Sequence, residues 1–301
     1  MTIELTPETF PAELQPLAEK VRDDERLSAE DALLCLTTPH VLHLGRLANT
    51  VRKRLHGNTA YFNVNRHINP TNICVYTYDC KFCSFAALPD EDHAWQMSHE
   101  DVWEHARKQG GNNVTEFHIV GGLHPDLSLE WYLEMMRGLQ ERFPTAHLKA
   151  FTAIEIGWFA KQEKISIEEV LIRLRQAGLG SLPGGGAEIF HPEVRKIICN
   201  GKLDSDEWFE VHRTAHELGI GSNCTMLYGH VEKPEHKVDH LMRLRDLQDD
   251  SGGFNAFIPL AYHPENNYLG LKHHTTGTDD LQHIATSRLV LDNVPHIKAY
   301  W

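Results

Sequence analysis

No apolar run in this 301-residue chain approaches the roughly 20 residues that a membrane-crossing helix needs. The segment Met1 to Pro11 is mixed and acidic, without the basic-then-apolar order of a secretory leader, so a cytoplasmic protein with no membrane partner is expected. Positive charge is in short supply. With 29 Lys and Arg against 42 Asp and Glu, the formal net charge of -13 argues against nucleic acid as a partner, though a locally basic pocket can still hold a small anion. Cysteine is scarce too, at six: Cys35, Cys74, Cys80, Cys83, Cys199 and Cys224. Three of these fall within ten residues, and in a reducing cytosol a tight trio points to a metal site rather than to disulfides. Two common catalytic signatures are missing. No Lys-Ser/Thr follows Gly184-Gly185-Gly186, which excludes a nucleotide P-loop. His212 and His216 stand four apart without a Glu in a His-Glu-x-x-His arrangement, which excludes a zinc protease.

What is present reads as a repeating α/β protein. From Pro7 to about His56 the chain is helical, with Ser28 and two acids opening the stretch Ser28–Leu36. Strand-like runs follow at Tyr61–Asn65, Glu116–Val120, His147–Phe151, Leu179–Leu182, Ser222–Leu227, Asn255–Leu260 and His296–Tyr300. Amphipathic helices separate most of them. Leu129, Tyr132, Met136, Leu139 and Phe143 recur at three- and four-residue steps, Ser166 with Glu169 suggests a capping box, and Pro234 suits a helix start. Strand–helix repetition predicts parallel strands with right-handed crossovers, closing as a (β/α) TIM-type barrel over residues 59–301. Residues 1–58 are expected to form a helical extension packed on that barrel. The run Lys298-Ala299-Tyr300-Trp301 ends inside a strand pattern with no covering helix, which would leave an unpaired edge. Cover by another chain or truncation before the last barrel strand accounts for this, and truncation is the expectation.

The chemistry concentrates in three loops at strand ends, where barrel active sites are built. The first runs from His67 to Cys74 and on through Cys80-Lys81-Phe82-Cys83. Three thiolates can hold a 4Fe-4S cluster while leaving one iron open for the amino and carboxylate groups of S-adenosylmethionine. A zinc knuckle completed by His93, or a four-cysteine electron carrier, is the competing reading. The second loop is Gly121-Gly122-Leu123-His124-Pro125, whose glycines let backbone approach a ligand amino group or simply make a tight turn. The third is Pro183-Gly184-Gly185-Gly186-Ala187-Glu188, a flexible backbone with Glu188 placed to meet ribose hydroxyls. Most of the 21 histidines are read as structural.

Together these strings resemble the radical S-adenosylmethionine superfamily: HINPTNIC with CKFCSF, EFHIVGGLHPDL, LKAFTAIEI, SLPGGGAEIF, WFEVHRTAHELGI, TMLYGH and FIPLAYHPENN. More narrowly they are similar to the branch of futalosine-pathway and deazaflavin (F0) synthases, and most similar to the aminofutalosine synthases. The resemblance implies an enzyme of menaquinone biosynthesis that uses a 4Fe-4S cluster and consumes S-adenosylmethionine. Its small-molecule substrate would be the enolpyruvyl benzoate 3-[(1-carboxyvinyl)oxy]benzoate, converted to 6-amino-6-deoxyfutalosine with methionine and bicarbonate. A dehypoxanthine futalosine cyclase or the tyrosine-using F0 synthase subunit is the alternative within the superfamily, and a non-catalytic iron–sulfur protein the alternative outside it.

By the same resemblance Cys74, Cys80 and Cys83 match the cluster ligands and Phe82 the aromatic against adenine. Gly121 and Gly122 match the stretch that receives the methionine amino group. Glu188 and Arg195 match polar positions for ribose and the methionine carboxylate. His124, Lys149 and His230 are expected to face the substrate's two carboxylates. An electron donor such as a flavodoxin or ferredoxin is implied, and a homodimer is compatible with it. The gap of five residues between Cys74 and Cys80, against three in the usual motif, is the departure to check.

Overall fold

In the computed structural model, which describes residues 5–110 and 114–300, the strand–helix repetition is realised in sequence order. The strands are β1 (Asn65–Ile68), β2 (Glu116–Ile119), β3 (His147–Ala150), β4 (Ser181–Leu182), β5 (Gly221–Tyr228), β6 (Phe254–Ala261) and β7 (His296–Ile297). They form one seven-stranded sheet, β1-β2-β3-β4-β5-β6-β7, every neighbouring pair parallel. The result is a partial TIM-type barrel, open between β7 and β1 among the described residues.

Among the described residues, eleven α-helices accompany the strands: α1 (Gln15–Arg22), α2 (Ala29–Thr37), α3 (Val41–His56), α4 (His99–Gly110), α5 (Leu129–Arg142), α6 (Ala153–Glu163), α7 (Ile167–Gln176), α8 (Pro192–Ile198), α9 (Ser205–Glu217), α10 (Pro234–Ser251) and α11 (Gly277–Val290). Their starts are written in the sequence. Ser28 with Asp31, Thr152 with Glu155, Asp204 with Glu207 and Thr276 with Asp279 form reciprocal capping boxes. Ser166 caps α7 through its hydroxyl alone, so the expected reciprocal box there is half made. Leu14, in the turn before α1, Leu17 of α1, Cys35 of α2, and Leu44 and Leu47 of α3 pack with Ala285 and Leu289 of α11, in a core separate from that of the barrel. No helix among the described residues is long and apolar enough to cross a membrane.

Alternation along the strands sorts the two faces. Phe117, Ile119, Leu148, Ala150, Cys224 and Met226 enter the main apolar core under the helices. Glu116, His118, Lys149 and Asn223 alternate with them and turn into the barrel.

Strands β1 and β7 differ most from the sequence pattern. β1 begins at Asn65, so Tyr61 and Phe62 precede the sheet and stay exposed, while His67 and Ile68 belong to the strand itself. At the other end only His296 and Ile297 pair with β6. Beyond them Lys298 and Tyr300 reach across the open side to Asn63 and His67 through side-chain contacts, while the free edge of β7 has no strand partner among the described residues. Trp301 lies outside the described residues.

Candidate active site

The cysteine loop leaves β1 at Pro70, which cannot continue the ladder. Asn69 Nδ2 donates to Val120 O at 2.8 Å, Gly122 N to Thr71 O at 2.8 Å, and Val75 N to Leu123 O at 3.1 Å, lashing the loop to the segment after β2. This close approach demands glycine: a Cβ on Gly122 would sit 2.2 Å from Ile73 O. The irregular gap resolves as a helical turn, in which Cys80 N donates to Tyr76 O at 3.0 Å and Thr77 N to Cys74 O at 3.2 Å. Cys83 N closes a further turn onto Cys80 O at 2.9 Å. Five intervening residues therefore fold back rather than push Cys74 away.

All three thiols are free, Cys80 buried and Cys74 and Cys83 half-buried. Burial pushes Cys80 up to about 12, against the opposing pull of Lys202, and raises Cys74 as well. Such thiols lose their protons to a metal rather than to water. The three sulfurs do not all lie within 4.8 Å of one another, whereas a single zinc holding sulfurs at about 2.3 Å draws them to roughly 4 Å apart. His93 pairs with Glu91 at 4.0 Å and is largely exposed. Donor type and spacing thus fit a multi-iron cluster better than one ion. Cys199 is buried beside Cys80 through a backbone bridge, a neighbour that sequence distance concealed.

The triple-glycine loop is not the flexible segment its composition suggests. Thr225 Oγ1 donates to Gly184 O at 2.7 Å, Trp208 Nε1 to Gly185 O at 3.3 Å, and Arg195 to Gly186 O and Ala187 O at 3.3 and 2.8 Å. Gly184 is required because a Cβ there would meet Cys224 Cα at 2.6 Å. Arg195 also donates to Leu203 O, so its donors hold main-chain carbonyls. These bonds fix the guanidinium against the glycine loop and leave its Nε without a hydrogen-bond partner among the described residues.

Glu188 adopts a φ of +46°, which re-aims its carboxylate onto Lys202 Nζ at 2.8 Å, with both side chains buried. Burial drives Glu188 up, but the charge and hydrogen bond of Lys202, with Arg195, outweigh it and hold the carboxyl below its usual range. Burial likewise opposes the charge on Lys202, and Glu188 with the thiols of Cys80 and Cys199 keeps it protonated. Lys202 Nζ lies 5.4 Å from the Phe82 ring centroid. One cation therefore links the cysteine loop, the aromatic and the acid.

A second acid was legible only as part of a string. Glu155, fully buried at the start of α6, accepts from Thr152 N at 2.7 Å, Thr152 Oγ1 at 2.8 Å and Gly121 N at 3.1 Å. Burial pushes it up to about 7 despite those bonds.

The three expected carboxylate partners separate. His124 Nδ1 accepts from Asp126 N at 3.0 Å, which puts the proton of the neutral ring on Nε2, and burial lowers its basicity. Lys149 is buried and donates to Glu116 Oε2 at 2.7 Å. His230 has no exposed side-chain surface, bonds Leu227 O at 3.0 Å and stands 3.2 Å from Glu232. Its expected role facing substrate is corrected: it braces the loop after β5.

The family model of the radical SAM superfamily matches residues 68–244, from the end of β1 into α10. The chain belongs to the radical SAM superfamily. It is 48% identical over 294 residues to the aminodeoxyfutalosine synthase of Thermus thermophilus, covering 96% of this chain and 78% of that protein. Against the aminodeoxyfutalosine synthase of Streptomyces coelicolor it is 44% identical over 297 residues, covering 95% and 76%. The solved structure of methylornithine synthase superposes with a TM-score of 0.72 at 17% identity, covering 92% of this chain and 77% of that one, a likeness of fold. As a radical SAM enzyme the chain uses a 4Fe-4S cluster and S-adenosylmethionine.

Proposed function

We propose that this radical SAM enzyme joins the adenosyl group of S-adenosylmethionine to 3-[(1-carboxyvinyl)oxy]benzoate, giving 6-amino-6-deoxyfutalosine, methionine and bicarbonate for menaquinone biosynthesis. The observation that carries this reading is the 48% identity to an aminodeoxyfutalosine synthase across 96% of the chain, including every loop of the candidate site. Held by Cys74, Cys80 and Cys83, the cluster would supply the electron for reductive cleavage of S-adenosylmethionine.

The chain's own groups have assignable tasks. Cys74, Cys80 and Cys83 hold the cluster on a loop tied at both ends to the barrel. Gly121 and Gly122 present main chain to the methionine amino group, held in place by Glu155 and Thr71. Phe82 stacks on adenine, and Glu188, kept ionised by Lys202, accepts from ribose hydroxyls. Arg195 positions the glycine loop. His124, neutral with its proton on Nε2, donates without adding charge. Lys149 lines a cavity of about 830 Å³ that opens toward α3 and α11 and is large enough for the aromatic substrate. A flavodoxin or ferredoxin delivers the electron.

Anaerobic reconstitution, reduction and incubation with both substrates, followed by mass spectrometry, tests this. An adenosylated product is expected, and Cys80→Ala abolishes it. Free 5′-deoxyadenosine alone points instead to a hydrogen-abstracting relative, and absence of cleavage overturns the reading.

A further inference from the structure

The barrel interior below the loops carries a connected set of polar groups that no part of S-adenosylmethionine chemistry requires. Lys149 Nζ donates to Glu116 Oε2 at 2.7 Å, Asn63 Nδ2 donates to Glu116 Oε1 at 2.9 Å, and Lys298 Nζ donates to Asn63 Oδ1 at 3.1 Å. Beside them His67 and His118 stack with centroids 4.7 Å apart, and His67 Nε2 shares a hydrogen bond of 2.8 Å with Tyr300 OH. Glu116 stands at the start of β2 and Asn63 precedes β1, so this set lies deep, away from the cysteine loop at the strands' C-terminal ends.

The charges in this set do not cancel. Lys149 and Glu116 form a buried ion pair. Burial keeps both histidines neutral at physiological pH, pushing His118 down to about 3, with the charges of Lys149 and Lys298 acting the same way. Lys298 has a neutral amide as its hydrogen-bond partner and the Tyr300 ring 5.0 Å from its Nζ, and among the described residues it forms no ion pair. Arg288, which lines the same cavity, gives its donors to the carbonyls of Leu291, Val294 and Pro295. Arg46 and Arg52 of α3 also line this largely apolar cavity of about 830 Å³ and likewise take neutral partners, Thr9 for the one and Asn49 with Thr59 O for the other. Lys298 is the cation without an ion pair that adjoins the Lys149–Glu116 layer.

We infer that Lys298 is the specificity-determining partner of the substrate's aromatic carboxylate. This rests on the substrate assigned above. The reacting double bond must face the loops at the barrel mouth, so the opposite end of the molecule, the ring carboxylate, points to the deep layer. There it meets the ammonium of Lys298, which no acid pairs among the described residues, with Asn63 and Tyr300 bracketing it. A neutral aromatic of the same size fills the same space and leaves that charge unpaired, so discrimination comes from Lys298 rather than from shape.

The test uses reconstituted holoenzyme with S-adenosylmethionine and two unreactive probes, 3-(carboxymethoxy)benzoate and phenoxyacetate, which differ only in the ring carboxylate. Calorimetry is expected to show wild type preferring the dicarboxylate by about 30-fold, the worth of one charge-assisted hydrogen bond. Lys298→Gln should reduce the preference below about 3-fold, and Lys298→Arg should restore most of it. Circular dichroism and iron content confirm that the variants fold and load. An unchanged preference in Lys298→Gln, or no preference in wild type, overturns the assignment. Adenosylation of the enolpyruvyl benzoate is measured in parallel on wild type. Product without a Lys298-dependent preference sinks this inference alone. A Lys298-dependent preference without product sinks the proposed reaction and leaves an aromatic dicarboxylate site.

Discussion

Lys202→Met should be among the most damaging single substitutions outside the three thiols. The Lys202–Glu188 pair is 2.8 Å long, with side chains 11% and 10% exposed, so neither charge is relieved by water. Removing one partner of such a pair costs about 3–5 kcal/mol, since the other charge stays buried and uncompensated. At about 2 °C per kcal/mol for a chain of this size, the iron-free protein should melt about 6–10 °C lower at pH 7.5. The pH dependence has a definite sign. Glu188 is held below its usual range in the fold, so its contribution is present at neutral pH and lost as pH falls through the depressed value. Lys202 is held above its usual range, so its share persists through neutrality and disappears only in strong alkali. The deficit of the variant should therefore be largest near neutral pH and shrink in acid, where Glu188 takes up a proton. Anaerobic differential scanning fluorimetry from pH 4.5 to 8 measures this. Glu188→Gln in the Lys202→Met background should recover part of the loss. A melting shift under about 2 °C at pH 7.5, or a deficit that grows in acid, would refute the account of the pair.

Three further outcomes follow from the same geometry. Gly122→Ala places a Cβ 2.2 Å from the carbonyl oxygen of Ile73, so the cysteine loop must move; iron and sulfide bound after reconstitution should fall well below wild type while the secondary structure persists. Glu155→Gln removes a carboxyl that burial lifts to about 7. Because that folded value is raised, wild type should lose stability relative to the variant as pH rises from 5 to 8, by about 1.4 kcal/mol per unit at most, read from denaturant midpoints. Cys199→Ala should leave iron content and S-adenosylmethionine cleavage near wild type, in contrast to Cys80→Ala; loss of the cluster would make Cys199 a ligand.

The sequence carried the parts of the site that are local. Cys74, Cys80 and Cys83 fall on one loop, and the Ser166 cap of α7 was readable from spacing, though only its hydroxyl half forms. Strands β2 and β3 appeared within one residue of their ends, because alternation and flanking helices bound them. Tyr61 and Phe62 misled for a physical reason: an aromatic pair followed by Asn-Val-Asn fits a strand, yet it precedes the sheet and lines a cavity. Lys202 and Lys298 had no local signature. Lys202 reaches Glu188 because α8 intervenes and folds back, and Lys298 reaches Asn63 across 235 residues. Arg195 shows what a motif conceals, a charged residue that makes three hydrogen bonds to the backbone.

These contacts divide the barrel into two chemical levels. At the mouth, nearly every group that would meet S-adenosylmethionine is itself fixed by main chain or by a buried partner: the cysteine loop by Val120 and Leu123, the glycine loop by Thr225 and Arg195, Glu188 by Lys202. Such groups lose little freedom when ligand binds, which suits a site whose ligand never changes. The deep level is built the other way. Its carboxylate and one of its lysines neutralise each other, its histidines are neutral, and one ammonium is left with an amide as its hydrogen-bond partner. An uncompensated charge in a part-buried cavity is costly to keep unless a ligand matches it. Retaining it there makes binding of the aromatic substrate depend on a charge that a neutral analogue cannot supply, while leaving the cluster end untouched. Substrate choice is thereby separated from cofactor chemistry, and exchanging the residue at position 298 should alter which aromatic acid is bound without altering uncoupled cleavage of S-adenosylmethionine.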